Sequence, residues 1–470
     1  MSSGNYENYE NFPATKTLLN NQKLYLLFML LIKNCKVLVG NDFLDRNILI
    51  DDNGKIGKIA VASGLKASDA DEVIDAAGKY AIPGLIDVHV HCREPGMTQK
   101  EDFLTAGRAA AAGGVTTFLD MPNSKPATTT VALLEEKRKL AAAKCIVNYG
   151  FHFGATADNL EEIKKARNIA AVKVYMGSST GNLLVTDDKA LNGIFGSGKR
   201  MAVHAESEKM IVRNTEKYRG SNSPAAKLHL QIRENAAAAK EVERAIGIAR
   251  KYSTKLHICH MSTKEEALII ANEKGNYKSL SCEVTPHHLF LTADAARELG
   301  NYAKVNPPLR TKEDVAALWE ALAAGVVDCI ATDHAPHLRA EKEQDYWNAP
   351  SGMPGLQTML PLLLDAVNKN RLSMLQLLKL TAENPAKVFG IKGKGKIAVG
   401  YDADITLVDM RQEKTIKNDN MLSKCGWTPF DGWKVKGAVA ATIVNGNLVY
   451  SDEKIVDEKT NGKEVIFNGG

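Results

Sequence analysis

From Ile82 onward, short apolar runs alternate with Ala-rich stretches that have a helical period. This alternation is the pattern of βα units around a parallel sheet. The helical stretches include Gln99 to Ala112, Ala225 to Tyr252 and Lys312 to Ala324. Eight candidate strands precede or separate them: IPGLIDVHVH, VTTFLDMPN, IVNYGFHFG, AAVKVYMG, RMAVHAE, KLHICHM, LSCEVTPHHL and DCIATDHAPH. Eight is the number that a closed barrel requires, so the pattern predicts an α/β fold, a (β/α)8 TIM barrel.

The two ends of the chain have a different residue pattern. Residues 29–80 and 392–470 contain short strand patterns and turns such as Asp52-Asn53-Gly54 and Asn445-Gly446-Asn447. We expect both ends to pair into one small β-sandwich domain beside a barrel of residues 81–391. Residues 1–28 are rich in Asn, Tyr and Glu, and Met29 opens a strand pattern, so we interpret them as a disordered leader or a mis-assigned start.

Composition narrows the class of protein. Hydrophobic residues make up 44% and charged residues 24% of the 470 residues, as in soluble globular proteins. The net charge is +5, and the basic residues are spread along the chain without forming a block. The charge pattern therefore gives no support for nucleic acid or membrane binding. The apolar run from Leu24 to Ile32 is much shorter than the ~20 residues of a spanning helix. Seven scattered cysteines without CxxC spacing predict a reduced, cytoplasmic setting.

Metal-binding side chains recur at predicted strand ends. His89 and His91 are two residues apart on the first strand, so both side chains point to one side of it. His204 ends the fifth strand, His260 the sixth and Asp333 the eighth. A histidine pair alone would equally fit packing, but these five side chains converge on the barrel mouth, where barrel enzymes place their chemistry. Zn²⁺ favours such nitrogen and oxygen ligands.

Lys173 lies within the otherwise apolar strand AAVKVYMG. A buried lysine needs a partner, so two interpretations arise. The side chain snorkels to solvent from the strand end, or its amine carries CO2 as a carbamate. A carbamate is an anion that can hold together two cations that otherwise repel each other.

Three other residues are candidates for chemistry. Arg93 lies two residues beyond His91 on the same strand face, where a guanidinium could grip a substrate carboxylate; the alternative is a surface salt bridge. Cys259 and Glu283 could together hold an additional cation. Because adjacent residues on a strand point oppositely, core packing is favoured for Cys259, the neighbour of His260.

Several motifs carry a family resemblance. PGLIDVHVHCREPG at 83–96 resembles the first-strand signature of the amidohydrolase superfamily in its dihydroorotase form. Segments similar to that family follow in its order: MPNSKP (121–126), VKVYMG (172–177), VHAES (203–207), HICHMS (257–262), CEVTPHHLFL (282–291), NPPLR (306–310) and ATDHAPH (331–337). GKIAVGYDADITLVD at 395–409 resembles the superfamily's C-terminal β segment.

The resemblance implies a zinc centre with two Zn²⁺ per subunit. One ion is expected on His89, His91 and Asp333 and the second on His204 and His260, with carboxylated Lys173 and a hydroxide bridging both. Some members of the family bridge with an aspartate, for which Asp187 and Asp188 are the candidates here. No role is assigned to His334.

The resemblance also implies an activity: the reversible cyclisation of N-carbamoyl-L-aspartate to L-dihydroorotate in pyrimidine biosynthesis, with Asp333 as general acid and base. A homodimer and an association with aspartate carbamoyltransferase are further implications. The expected substrate contacts are Arg93, Asn123, Asn306, His337 and the backbone near Gly355.

Two rival functions compete with this interpretation. The first is another cyclic amidase, an allantoinase or dihydropyrimidinase, whose substrates lack the carboxylate that Arg93 would bind. The second is a catalytically inactive barrel that serves as a scaffold for a partner enzyme. The scaffold is disfavoured because all six expected metal ligands are present in the chain.

Overall fold

A computed structural model describes residues 29–177, 183–221, 225–458 and 462–468. The leader of residues 1–28 therefore lies outside the described residues. In chain order the strands are β1 (Leu30–Val39), β2 (Asp42–Ile50), β3 (Ile56–Ala60), β4 (Glu72–Asp75), β5 (Tyr80–Pro83), β6 (Leu85–Val90), β7 (Val115–Asp120), β8 (Asn148–Phe151), β9 (Phe153–Gly154), β10 (Val172–Tyr175), β11 (Met201–His204), β12 (Leu256–Ile258), β13 (Leu280–Val284), β14 (Cys329–Ile330), β15 (Ile405–Thr415), β16 (Lys434–Val444), β17 (Asn447–Ser451) and β18 (Lys454–Ile455).

The α-helices lie mainly between the barrel strands. They are α1 (Phe103–Ala112), α2 (Val131–Lys144), α3 (Leu160–Lys165), α4 (Asp188–Phe195), α5 (Glu208–Tyr218), α6 (Ala225–Ile232), α7 (Asn235–Tyr252), α8 (Lys264–Lys274), α9 (Pro286–Phe290), α10 (Ala295–Leu299), α11 (Lys312–Ala323), α12 (Arg339–Lys342), α13 (Met359–Asn368), α14 (Met374–Leu378) and α15 (Asn384–Phe389). Side-chain caps fix several starts: Asp102 accepts a hydrogen bond from the Thr105 amide at the first turn of α1.

A closed parallel barrel is built from β6 to β14. β6, β7 and β8 pair in chain order, and β9 to β14 do the same. β8 and β9 are one strand interrupted at His152, and a parallel bridge from Val90 to His334 closes the ring. Every residue of β6 and β7 is buried, because barrel strands are covered on both faces. The predicted (β/α)8 fold is confirmed.

The remaining strands join the two ends of the chain. β1 to β5 and β15 to β18 form one nine-stranded sheet, in which β5 pairs antiparallel with β15. Ile32 and Ile48 from the first end share an apolar core with Ile405 and Ile443 from the second. The two ends therefore meet as expected, but within one continuous sheet around that core instead of in two separate sheets.

Domain limits at residues 80/81 and 391/392 stay a prediction. β5 runs across the first limit, and residues 462–468 return to the barrel. There Glu464 bridges Tyr149, and Phe467 bridges Ile391. Within the described ranges, no helix has the length and apolarity needed to cross a membrane.

The predicted helix from Ala225 to Tyr252 is wrong as a single element. It is broken between α6 and α7, where Glu234 has an extended backbone with ψ of 153°. The break has a tertiary cause, because the side chain of Arg233 pairs with buried Glu206. The side chain of Glu234 turns back to accept a hydrogen bond from Asn214 at 2.9 Å. Helical periodicity in the sequence could not show this interruption.

A buried ion pair supports the first two strand ends, and it yields a stability prediction. The ammonium of Lys137 pairs with Asp120 and donates to the Met121 carbonyl at 2.8 Å, while Asp120 accepts the Cys92 amide at 2.8 Å. Lys137→Met should lower the free energy of unfolding by about 3–5 kcal/mol, because it leaves a buried carboxylate unpaired. Urea denaturation measures this loss of stability. Lys139→Met, at an exposed position on the same helix, is the control, and its free energy of unfolding should stay near that of the wild type. Equal stability of both variants would contradict the structural role of the pair.

Candidate active site and metal centre

The predicted metal ligands converge at the C-terminal ends of the barrel strands. His204 is the last residue of β11, Lys173 lies within β10, and the others lie at or just beyond the ends of their strands. All six side chains are buried, and the His89 and His260 rings are 5.3 Å apart between centroids. The convergence predicted from the sequence is therefore present as one site: His89, His91, Lys173, His204, His260 and Asp333.

Asp333 contacts both histidines of the first barrel strand. Its Oδ1 lies 3.2 Å from Nε2 of His89 and 2.9 Å from Nε2 of His91. The outer nitrogens of both rings are engaged elsewhere: Nδ1 of His89 with Glu283, and Nδ1 of His91 with Oδ1 of Asn123 at 2.6 Å. Both rings thus present Nε2 to Asp333, with a carboxylate or amide fixing their orientation from behind.

Burial and the neighbouring carboxylates shift the pKa values of the two histidines in opposite directions. Burial and the Lys173 ammonium oppose the charged form of His89, but Glu283 and Asp333 outweigh them and raise its pKa to about 10. Burial lowers the pKa of His91 to about 4. Burial would raise the pKa of Asp333, but His89 and His91 hold it well below its ordinary value. The carboxylates around His89 therefore favour a positive charge at this point.

His204 and His260 form the second half of the site. Nδ1 of His204 lies 3.0 Å from Nε2 of His260, and Nε2 of His204 lies 2.9 Å from Glu206. Glu206 is itself paired with Arg233. Burial lowers the pKa of both imidazoles. Because Glu206 accepts the Nε2 proton of His204, the lone pair on Nδ1 points toward His260.

Lys173 is completely buried, and among the described residues no carboxylate is in ion-pair contact with its ammonium. Nζ donates to Sγ of Cys259 at 3.0 Å and lies 5.1 Å from the centre of the Tyr175 ring. The snorkelling alternative does not fit a side chain with no exposed surface. A buried amine without a counter-ion requires another account of its charge.

Cys259 packs in the core as expected, but it also faces the candidate site. Its side chain contacts the apolar cluster inside the barrel, but its sulfur also lies with His89 and Glu283 in a group whose ligand atoms are within 4.8 Å of one another. β12 ends at Ile258, and His260 has a positive φ of 37°. Strand alternation therefore does not apply at these two residues, and both side chains face the site.

Glu283 orients the rings around it, a role that its sequence motif did not indicate. Besides His89, it accepts from the backbone amide of His260 at 3.2 Å and contacts Nε2 of His257 at 2.9 Å. His89 and His257 hold its pKa well below the ordinary value despite burial. The spacing of His257 and His260 on the sixth strand was the available signal. An additional cation between Cys259 and Glu283 stays a prediction.

Asp187 and Asp188 do not fit as bridging ligands. Both are exposed at the start of α4. Asp187 caps the helix by accepting the Ala190 amide at 2.8 Å, and Asp188 pairs with Arg244. The alternative of an aspartate bridge from these residues is wrong, because both carboxylates are engaged on the surface.

Arg93 is buried, with 4% of its surface exposed, yet within the described part of the chain no carboxylate pairs with it. Nε donates to the Pro336 carbonyl at 3.2 Å, and Nη2 lies 3.1 Å from Nε2 of His337. That histidine nitrogen also lies 3.1 Å from the Ser351 carbonyl, while Nδ1 faces Lys100 at 3.0 Å. A ring that accepts from Lys100 and donates to Ser351 cannot accept from Arg93 as well. The guanidinium therefore keeps hydrogen-bonding capacity for an anion.

The other expected substrate contacts differ in whether their hydrogen-bonding groups already have a partner in the protein. Oδ1 of Asn306 is buried and has no hydrogen-bond partner among the described residues. Oδ1 of Asn123 is engaged with His91. The amide of Gly355 donates to Nδ1 of His334 at 3.1 Å, so the structure does not leave this donor free for a substrate. The reason is local, because His334 lies directly beneath the loop that carries Gly355.

The residues present fit a bound metal. His89, His91 and Asp333 offer ligand atoms that lie within 4.8 Å of one another, all buried. The facing ring nitrogens of His204 and His260 would add a second set of nitrogen ligands beside them, and such donors suit Zn²⁺. A parallel barrel with this site at its C-terminal face is the architecture of a metal-dependent barrel enzyme.

Comparison with known proteins gives the family. The model of the amidohydrolase family matches residues 80–449. Curated relatives are the dihydroorotases of Methanosarcina acetivorans, 41% identical over 90% of this chain and 92% of the relative, and of Halobacterium salinarum, 40% identical over 83% and 91%. The L-hydantoinase (dihydropyrimidinase) from Arthrobacter aurescens is a structural neighbour, with a TM-score of 0.89 and 30% identity over 93% of this chain and 100% of its own. The chain belongs to the amidohydrolase family, as predicted, and the two curated relatives named here are dihydroorotases.

Proposed function

We propose that this protein is a metal-dependent dihydroorotase, which opens the cyclic amide of L-dihydroorotate and closes N-carbamoyl-L-aspartate in the reverse direction. The names of the curated relatives support this activity. The observation that carries the choice of substrate is Arg93, a buried guanidinium without an acidic partner in the described chain. Burying such a charge is costly unless an anion completes it, and a substrate carboxylate would do so.

Two Zn²⁺ ions are proposed for the site. His89, His91 and Asp333 would hold one, His204 and His260 the other, and Lys173 would lie between them as a carbamate. To form the carbamate, the Lys173 ammonium first releases one proton, and the neutral amine then joins CO2 with loss of a second. Two protons lost in all convert a buried cation into an anion among positive neighbours. When bound, the metals supply a water of lowered pKa and polarise the amide carbonyl.

Asp333 is proposed to move the proton in both directions. Its neighbours keep the carboxyl ionised, so it is ready to accept the proton of the attacking water. It then donates this proton to the ring nitrogen that leaves as the amide bond breaks. In the direction of ring closure it accepts the proton of the carbamoyl nitrogen as that nitrogen attacks the side-chain carboxyl group. It then donates this proton to the carboxyl oxygen, which leaves as water when its bond to carbon breaks.

Each surrounding side chain has a defined task in this scheme. Arg93 binds the free carboxylate and so orients the ring, while Asn306 offers an oxygen to a ring N–H. Glu283 and Asn123 hold the His89 and His91 rings in place. Glu206 does the same for His204. Positioning of this kind lowers the entropic cost of bringing water and amide together.

The rival function is that of the hydantoinases and dihydropyrimidinases with similar structures. Their substrates are cyclic amides without a carboxylate on the ring. Such a substrate would leave the Arg93 charge buried and unpaired, so the rival does not account for this residue.

Arg93→Met tests the assignment of the substrate. It should raise KM for dihydroorotate about 10- to 100-fold, because a hydrogen bond to a charged group contributes about 1.5–3 kcal/mol. Steady-state hydrolysis assays give KM and kcat separately. Arg93→Lys is the matched control, which keeps the charge but loses the planar fork and should be intermediate. An unchanged KM in Arg93→Met, or a preference of the wild type for dihydrouracil or hydantoin, would refute the assignment.

We further propose that the protein works in the cytoplasm, since all seven cysteines are free and buried in the structure. A homodimer and an association with aspartate carbamoyltransferase stay predictions.

A further inference from the structure

The ring of His334, the residue after Asp333, is held from two sides. Nδ1 accepts the Gly355 amide at 3.1 Å, and Nε2 lies 3.3 Å from Oε2 of Glu101. A backbone amide can only donate, so Nδ1 must carry a lone pair. The ring proton of the neutral imidazole is then on Nε2 and points at Glu101. The Gly355 amide and Glu101 thus hold the ring in one tautomer from its two sides.

Glu101 is fully buried, and its carboxylate is occupied by hydrogen bonds. Besides His334, it accepts from the hydroxyls of Thr105 and Ser423 and from the Lys424 amide at 3.3 Å. No lysine or arginine of the described chain forms an ion pair with it. The carboxylate therefore acts as a fixed acceptor for the Nε2–H of His334.

His334 is rigidly connected to the reacting residues. Its carbonyl accepts the His91 amide at 2.8 Å, and its own amide donates to Oγ1 of Thr332 at 3.0 Å. Asp333 lies between these bonds with a positive φ of 46°, a strained conformation for a residue other than glycine. Such a conformation persists only when the surrounding contacts hold it. The His334 ring and its bond to Glu101 are among those contacts.

The contact from Ser423 comes from the other part of the molecule. Residues 416–433, which we call the crossing segment, connect β15 to β16 of the nine-stranded sheet. Along this segment Lys424 donates to the Thr98 carbonyl at 2.7 Å, and the indole of Trp427 donates to the His337 carbonyl at 2.7 Å. The sheet therefore reaches the barrel mouth and contacts the loops around the candidate site.

We propose that Glu101 and His334 are positioning residues for Asp333, and that Ser423 of the crossing segment fixes Glu101. Neither Glu101 nor Ser423 touches substrate. They set the orientation of the His334 ring, and the ring holds the main chain at Asp333 and at the Gly355 loop. This inference rests on the proposed function, since its effect is on the proton transfer assigned to Asp333.

A double-mutant cycle on kcat for dihydroorotate hydrolysis tests the link. Glu101→Gln removes the anionic acceptor, and His334→Asn keeps an acceptor for the Gly355 amide but removes the donor to Glu101. Each variant should lower kcat about 10- to 100-fold, the usual effect of losing a partner that orients an active-site group. KM and zinc content should stay near wild type. The double variant should have the same kcat as the single variants, because each substitution alone already removes the hydrogen bond between Glu101 and His334. Additive losses, or unchanged kcat in Glu101→Gln, would overturn the proposal.

Ser423→Ala keeps the test decisive if Glu101→Gln does not fold. It should lower kcat by about threefold to tenfold, less than Glu101→Gln, because the Glu101 carboxylate keeps its bonds to Thr105, Lys424 and His334. The loss of one buried hydrogen bond should lower the melting temperature by no more than a few degrees. Asp419→Ala, at an exposed position of the same segment, is the control and should not change kcat. Equal kcat in both variants would reject the link. A wild-type protein without activity on dihydroorotate would instead refute the proposed function, so the two failures are distinguishable.

Discussion

Asp333→Asn is expected to reduce kcat for dihydroorotate hydrolysis by about 10⁴-fold, the upper range for loss of a general acid and base. The amide keeps the shape of the carboxyl group and an oxygen toward His89 and His91, so metal content should stay high. It cannot accept a proton at neutral pH. The loss should appear in hydrolysis and in ring closure alike, because the same group serves both directions.

The measurement combines kcat in both directions with zinc content per chain. His204→Asn is an informative comparison, since it removes a proposed metal ligand and should lose activity together with zinc. If Asp333→Asn kept more than a tenth of wild-type kcat with its zinc in place, the proton would have to move through another residue. The assignment of Asp333 would then be wrong, whatever its contribution to metal binding.

Lys173→Ala is expected to lose most of its bound zinc and its activity. The lysine is completely buried beside His89, His204 and His260, where a carbamate would supply the anion that two cations need between them. Without the Lys173 side chain, no anion would lie between the two zinc ions, which would then repel each other at close range. It also opens a cavity the size of the lost chain, in which acetate or propionate can take the place of the carbamate. Partial recovery of zinc and activity with these acids is therefore expected.

Lys173→Met is the matched control for this rescue. Its side chain fills the cavity without an amine, so zinc should be lost as in Lys173→Ala, but the acids should restore nothing. Zinc content by atomic absorption and activity with and without acid give the four values needed. Full zinc content in Lys173→Ala would contradict a bridging carbamate. Asp187 and Asp188 could not explain such a result, because both are exposed and engaged at the start of α4.

Much of the site could be predicted because its signals are local. The His89 and His91 pair needs only the alternation of a strand to bring both side chains to one face. Strand ends in a parallel barrel meet at the same rim, so His204, His260 and Asp333 could be expected there once eight βα units were counted. The lysine in β10 stood out because its neighbours are apolar.

Other features depended on contacts between distant parts of the chain. Arg93 could be named from its spacing, but its lack of a counter-ion required knowledge of every side chain around it. The orientation of Cys259 failed as a prediction because strand geometry ends at Ile258 and His260 has a positive φ. The break before α7 depends on Glu206, 27 residues from Arg233 along the chain.

The sequence by itself determined the class of fold, the meeting of both chain ends and the set of candidate metal ligands, because these follow from periodicity and residue chemistry. The tertiary structure alone decided which partners orient those side chains. Glu283 holds His89 across 194 positions, and Ser423 reaches Glu101 across 322. Such pairs have no local signature, since the energy of a buried hydrogen bond depends on its partner in space and not on its distance along the chain.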